Sequence, residues 1–152
     1  MSRQFGSVLS TLLLVLSLSG CNSDRPEPAE FTLAPEGLLV RITRVATHPF
    51  LSRHNLTLRV EQLGGCTATA ELFPDTGYAG RRNVYRQSSG RIGIVGQYDV
   101  RVIEPGTCLI RLIEFQAWDR QGQYLGAFDA DAQKRWRFFP KAERQELPFE
   151  KL

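Results

Sequence analysis

A chain of 152 residues, 42% hydrophobic and 23% charged, is long enough for one domain with a real apolar core and too short for two comfortable ones. Its formal net charge of +3 is small, so the overall balance calls for no nucleic-acid partner. Sixteen of the 19 basic residues are arginine, which raises the pI without implying a mechanism.

The first element in the chain is not globular. A single basic residue, Arg3, precedes V-L-S-T-L-L-L-V-L-S-L (Val8 to Leu18), an uncharged run. Its length of about 11 residues matches a signal-peptide core and falls well short of the roughly 20 that a membrane-spanning helix needs. It has no polar face, which argues against a buried amphipathic helix. Leu18-Ser19-Gly20-Cys21 follows, and in this position the tetrapeptide resembles the lipobox of bacterial lipoproteins. The resemblance covers residues 1–21 only. It implies a signal peptide at 1–20, a diacylglyceryl group on the Cys21 sulfur, cleavage after Gly20 and acylation of the new amino group. Several acyl chains at about 0.8 kcal/mol per buried CH₂ make such an anchor permanent, where one chain would be marginal. Asn22 stands where an aspartate typically retains enteric lipoproteins in the inner membrane. It therefore favours the outer membrane, with the domain facing the periplasm and surface exposure as the alternative.

Without residues 1–20 the chain carries 18 basic and 16 acidic residues, a charge of +2. Residues 21–37 form the lipidated N-terminus and tether. From Asn22 to Gly37 the chain holds three prolines, four acidic residues and one arginine, a composition that stiffens the backbone and offers little to bury. The expectation is a disordered or extended segment, unless Phe31 and Leu33 pack on the domain and make its second half an edge segment.

From Leu38 the pattern turns to period two. Leu38, Val40 and Ile42 share one face, as do Leu56, Leu58 and Val60, and then Cys66, Ala68, Ala70 and Leu72. Such alternation marks half-buried antiparallel strands. Further strands are expected at Val84–Gln87, Arg91–Val95, Gln97–Ile103, Cys108–Trp118, Tyr124–Phe128 and Arg135–Phe139. Glu104-Pro105-Gly106-Thr107 places proline and glycine where a type II turn wants them, and Asp119 to Gly122 reads as another turn. The expected architecture over residues 38–140 is an all-β, two-sheet antiparallel sandwich, immunoglobulin-like in one version, with a small barrel as its rival. Residues 141–152 read as a polar tail free to move.

With Cys21 spent on lipid, Cys66 and Cys108 remain, each on the apolar side of its strand. Two buried cysteines in an exported, oxidising setting favour a disulfide over two core thiols. With no C-x-x-C and no activating base beside either thiol, a redox role is disfavoured.

Catalytic chemistry is hard to find. His48 and His54, in T-H-P-F-L-S-R-H-N, have no cysteine or carboxylate at ligand spacing, so a solvated loop outweighs a metal site. Phosphate-cradling loops and hydrolase motifs are absent, and no cofactor is called for. Asp129 with Asp131, or Glu114 with Asp119, could supply acid and base, but carboxylates in such contexts are usually surface residues. Two basic clusters stand out. R-R-N-V-Y-R-Q-S-S-G-R holds Arg81, Arg82, Arg86 and Arg91 around Tyr85, a set suited to phosphate or carboxylate. K-R-W-R-F-F-P-K, Lys134 to Lys141, is either a strand with Trp136 and Phe138 in the core or a docking strip. The first hypothesis is a non-enzymatic adaptor or assembly factor with an envelope protein partner. The second is a glycan- or anion-binding module, or a hydrolase inhibitor, in which Arg81, Arg82, Tyr85, Arg86 and Arg91 meet lipopolysaccharide phosphates or peptidoglycan carboxylates. A periplasmic hydrolase is third.

Overall fold

The computed structural model describes residues 25–77, 80–114, 117–118, 122–147 and 149. The expected signal segment, Cys21, Tyr78 and most of the turn expected at Asp119 to Gly122 lie outside the described residues. The alternating stretches become strands, and the chain folds as an all-β, two-sheet antiparallel sandwich.

Sheet one is a meander of β1 (Glu27–Leu33), β2 (Leu38–Ala46), β3 (His54–Gln62) and β4 (Thr67–Glu71), hydrogen-bonded in that order. Sheet two contains β5 (Arg82–Arg86), β6 (Ile92–Val95), β7 (Val100–Glu104), β8 (Leu109–Ile113), β9 (Gln123–Ala130) and β10 (Trp136–Pro140). Its order is β10-β9-β5-β6-β7-β8. Each sheet is therefore built of consecutive strands. The immunoglobulin arrangement interleaves its two sheets along the chain, so that version of the expectation is corrected. The cause lies in the turns: short connections after β1, β2 and β3 leave each next strand no choice but to pair with its predecessor.

Between the sheets, Leu38, Val40, Ile42, Leu56, Leu58 and Val60 face Val84, Ile92, Ile94, Ile103, Phe128 and Trp136. Burying each such side chain contributes about 1.5–3 kcal/mol. One long edge of the sandwich is closed by aromatics, with the Phe31 ring stacked 4.1 Å from Phe138 and 5.8 Å from Phe128. The opposite edge is closed by the Cys66–Cys108 disulfide, with a Cα–Cα distance of 5.7 Å. Gly106 has φ 88°, as the turn reading of Glu104–Thr107 requires.

Residues 27–33, within the expected tether, are not a loose segment. They form the edge strand β1, the packed alternative. Ala29 and Leu33 are buried, and the acids that suggested solvation pair across to β2: Glu30 with Arg41 at 2.7 Å and Glu27 with Arg44 at 2.7 Å. Nor is the tail free in its first part, because residues 144–147 bind the outer face of sheet two. The expected strand from Cys108 to Trp118 stops as β8 at Ile113. β8 and β9 are not neighbours, and Trp118, between them in the chain, lies on the outer face of sheet two, where it joins Tyr85, Val95, Val100 and Val102 in a second, smaller core. Gly93 makes room for it: a Cβ there would lie 2.0 Å from the Trp118 ring.

Candidate functional site

Antiparallel pairing sorts the connections between two ends of the sandwich. At one end lie the start of β1, the β2–β3 loop (residues 47–53), the β4–β5 connection (72–81), the β6–β7 loop (96–99) and the β9–β10 loop (131–135). We call this the entry end, since the chain arrives there at Glu27, opposite Arg44. At the other, distal end sit the turns joining β1 to β2, β3 to β4, β5 to β6 and β7 to β8.

The arginine cluster that the sequence presents as one strip is divided by the pleat of β5. Arg81 lies on the outer face, where its guanidinium donates to Asn83 Oδ1 at 2.8 Å, Tyr124 Oη at 3.1 Å and the Gln145 carbonyl at 2.7 Å. Tyr85 is buried beside it, and its hydroxyl donates to Glu146 Oε1 at 2.9 Å. Asn83, fully buried, donates to Tyr85 Oη at 3.2 Å and to the Leu147 carbonyl at 2.8 Å. Thus the chain's own tail occupies the outer members of the set.

Arg82 points the other way and is 1% exposed. Its guanidinium sits 3.7 Å from Asp99 and donates to the carbonyls of Arg81 at 3.0 Å, Gly80 at 3.3 Å and Phe73. Burial pulls its pKa below the ordinary arginine value, while the Asp99 and Asp75 carboxylates oppose that pull. Asp99 also accepts the Phe73 N–H at 2.9 Å and lies 3.7 Å from Arg101. Close by, His54 Nδ1 is 3.5 Å from Asp75, and the two residues exchange backbone hydrogen bonds of 2.9 Å. The result is a buried charged network that ties the 72–81 connection to both sheets at the entry end. Sequence reading placed His54 in a solvated loop; it is instead the first residue of β3 and belongs to this network. Gly96 permits the close approach, as a Cβ there would meet Arg82 at 2.8 Å and Asp99 at 2.9 Å.

Arg86, at the distal end, donates to the Ala34 carbonyl at 2.8 Å and to Glu36 at 3.0 Å. Arg91 differs from the others: its side chain is 54% exposed, with Glu104 at 3.8 Å as a loose partner. Of the five residues proposed for contact with an anion or partner, Arg91 therefore keeps a solvent-facing charge. Arg86 lies at the same end but is taken up by Ala34 and Glu36, and Arg81, Arg82 and Tyr85 are held by the tail or the entry-end network. The pleat also divides the second basic cluster: Trp136 and Phe138 turn to the core, and Phe139 packs on the outer face. Trp136 is buried and donates from Nε1 to the Ile42 carbonyl at 2.9 Å, and Phe139 lies beneath Arg144 at 4.0 Å. Asp131 closes the β9–β10 loop by accepting the N–H groups of Gln133 and Arg135 at 2.9 and 2.8 Å. Those bonds, the one from Arg135 foremost, hold its carboxyl below the usual carboxylate range. Asp131 thus staples the loop, and Asp129 is engaged by Arg144 at 2.5 Å. Among the described residues no three His, Cys, Asp or Glu side chains gather at metal-binding separation.

Comparison with known proteins finds no family model, no curated protein and no solved structure that matches this chain.

The tail contact has a measurable signature. Burial first, then the hydrogen bond to Glu146, push the Tyr85 phenol well above the ordinary tyrosine range, and burial raises Tyr124 as well. In the unfolded chain a tyrosine ionises near pH 10, so the folded form keeps a proton that the unfolded form loses. The stabilisation is present below about pH 10 and declines as pH rises beyond it. Ending the chain after Arg144 should lower the onset of phenolate absorbance in an alkaline titration. An unchanged titration would show that the tail does not shield Tyr85.

The distal end is cross-braced. Besides Arg86–Glu36, the Gly106 N–H donates to Gln62 Oε1 at 3.4 Å, Gln62 Nε2 donates to the Glu36 carbonyl, and the disulfide joins the β4 and β8 turns. On this braced surface Leu63 is 90% exposed and Leu109 42% exposed, and beside Leu63 lies a hollow of about 420 Å³ lined by Leu39, Gln62 and Gly64.

Proposed function

We propose that this chain is a non-enzymatic lipoprotein of the bacterial envelope, held in the outer membrane by lipid on Cys21, whose sandwich serves as an adaptor or assembly factor for an envelope complex. The anchor and its address rest on the resemblance of Leu18–Cys21 to a lipobox. The observation that carries the adaptor reading is the contrast between the two ends. The chain enters at one, and the other is a braced surface with two exposed leucines and the solvent-facing guanidinium of Arg91, loosely paired with Glu104. A rigid platform with apolar anchors amid polar turns is what a protein partner can seat on without ordering costs of its own. Lipopolysaccharide phosphate or peptidoglycan carboxylate remains within the chemistry of Arg91, as a secondary contact.

The test is site-specific photo-crosslinking in intact envelopes, with a photoreactive residue at Leu63 or Leu109 of the full chain and at Thr57 on the polar outer face of sheet one. The expected result is one discrete protein adduct from positions 63 and 109, none from 57, and its loss when Arg91→Glu is added. No discrete adduct from either leucine position sinks the adaptor reading.

A further inference from the structure

We propose that the entry end of the sandwich lies on the bilayer itself, with Phe50 and Leu51 of the β2–β3 loop entering the head-group region of an anionic leaflet. This inference rests on the reading of Cys21 as lipidated.

Geometry starts from register. Glu27, the first residue of β1, pairs with Arg44, and Ala46 ends β2 two residues further on. The loop at 47–53 therefore projects from the same end at which the chain arrives from Cys21. Between Cys21 and Glu27 there are six residue steps, which span at most about 20 Å when fully extended. A lipid on Cys21 thus holds the start of β1, at the end from which this loop projects, within about 20 Å of the bilayer surface, less than the roughly 30 Å diameter of a small intervening domain.

The loop is shaped for such a surface. Phe50 is 91% exposed and Leu51 47% exposed. His48 Nδ1 accepts the N–H groups of both, at 3.1 and 3.0 Å, so the two side chains are presented on a capped turn instead of a frayed one. Behind them a hollow of about 510 Å³ opens between this loop and the β9–β10 loop, with Pro49 and Ala46 on its apolar side and Lys134 at its rim. Lys134 and Arg53 are exposed, and basic groups are attracted to an anionic leaflet within a Debye length of its surface. An apolar tip ringed by cations is the pattern of an interfacial contact, reaching about 5–10 Å below the head groups.

The decisive measurement uses the full chain, produced with its own N-terminus, purified in detergent and reconstituted into phosphatidylethanolamine–phosphatidylglycerol vesicles. Intact mass reports whether Cys21 carries lipid. Tryptophan is then placed by Phe50→Trp, by Leu51→Trp, or, at the distal end, by Leu63→Trp; native Trp118 and Trp136 are buried and give a constant background. With brominated lipids, emission from positions 50 and 51 should shift to the blue and be quenched, and emission from position 63 should be unaffected. Lys134→Glu should reduce the quenching in anionic vesicles. Lipidated Cys21 with no quenching at 50 or 51, or with equal quenching at 63, overturns the docking while leaving the anchor intact. An unmodified Cys21 overturns both.

Discussion

Replacing Cys66 and Cys108 together by alanine should cost about 4 kcal/mol of stability, the loop-closure term expected for a bridge of this span. The sequence separation is 42 residues, and the bridge joins the turn before β4 in one sheet to the turn before β8 in the other. That edge has little else to close it. Ala68 and Ala70 are small, Leu112 is 61% exposed, and among the described residues no aromatic stack matches the Phe31–Phe138 pair on the opposite side. The disulfide also fixes Cys108 at φ 54°, a conformation that a non-glycine residue adopts at some cost and keeps when its surroundings hold it. Equilibrium denaturation in urea, oxidised chain against C66A/C108A, reads the effect directly. For a domain of this size the melting temperature should fall on the order of 15 °C. The same loss should follow reduction of the native chain. A change below about 1 kcal/mol would mean that the β4–β8 edge is held by packing and that the bridge constrains little in the unfolded chain.

How much of this was legible in the residues follows from which forces are local. Period-two alternation is local, so the runs at Leu38 and Leu56 declared both their strands and their buried faces. The cysteine pair was legible because both thiols sat on apolar faces and the third cysteine was accounted for by the lipobox resemblance. β1 was half hidden. Pro28 and the acids look like tether, yet an edge strand tolerates proline, and Glu27 and Glu30 make sense only against Arg44 and Arg41 across the ladder. The signal was there in Ala29, Phe31 and Leu33, which alternate. The arginine cluster failed for a different reason. Alternation along β5 says that Arg81 and Arg82 point to opposite faces, but only tertiary structure shows that one is capped by the tail and the other paired with Asp99. A run of like charge is not a patch when the backbone is pleated. Phe50 and Leu51 escaped notice because two apolar residues in a loop are ordinary; their meaning comes from the end of the sandwich at which they sit.

Substituting Arg82 should be the most damaging single change among the polar residues. Arg82→Met keeps much of the side-chain volume but removes the cation, leaving Asp99 buried at 7% exposure with Arg101 at 3.7 Å as its remaining charged neighbour. Breaking a buried ion pair from one side typically costs about 3–5 kcal/mol, most of it the uncompensated charge left behind. Asp99→Asn alone should cost less, since the Phe73 N–H can still find an oxygen acceptor. In the Arg82→Met background, Asp99→Asn should recover a substantial part of the loss, because the charge that made the first change costly is gone. Lysine is no substitute. Arg82 reaches the carbonyls of Phe73, Gly80 and Arg81 with a planar fork, and an ammonium cannot satisfy that spread while staying beside Asp99. Those carbonyls belong to the 72–81 connection, so the same variants should cut faster in that segment under limited proteolysis, ahead of global unfolding. A double-mutant cycle by urea denaturation separates the two contributions. If the Arg82→Met and Asp99→Asn effects simply add, the pair is not coupled, and the 72–81 connection is held by the His54–Asp75 backbone bonds instead.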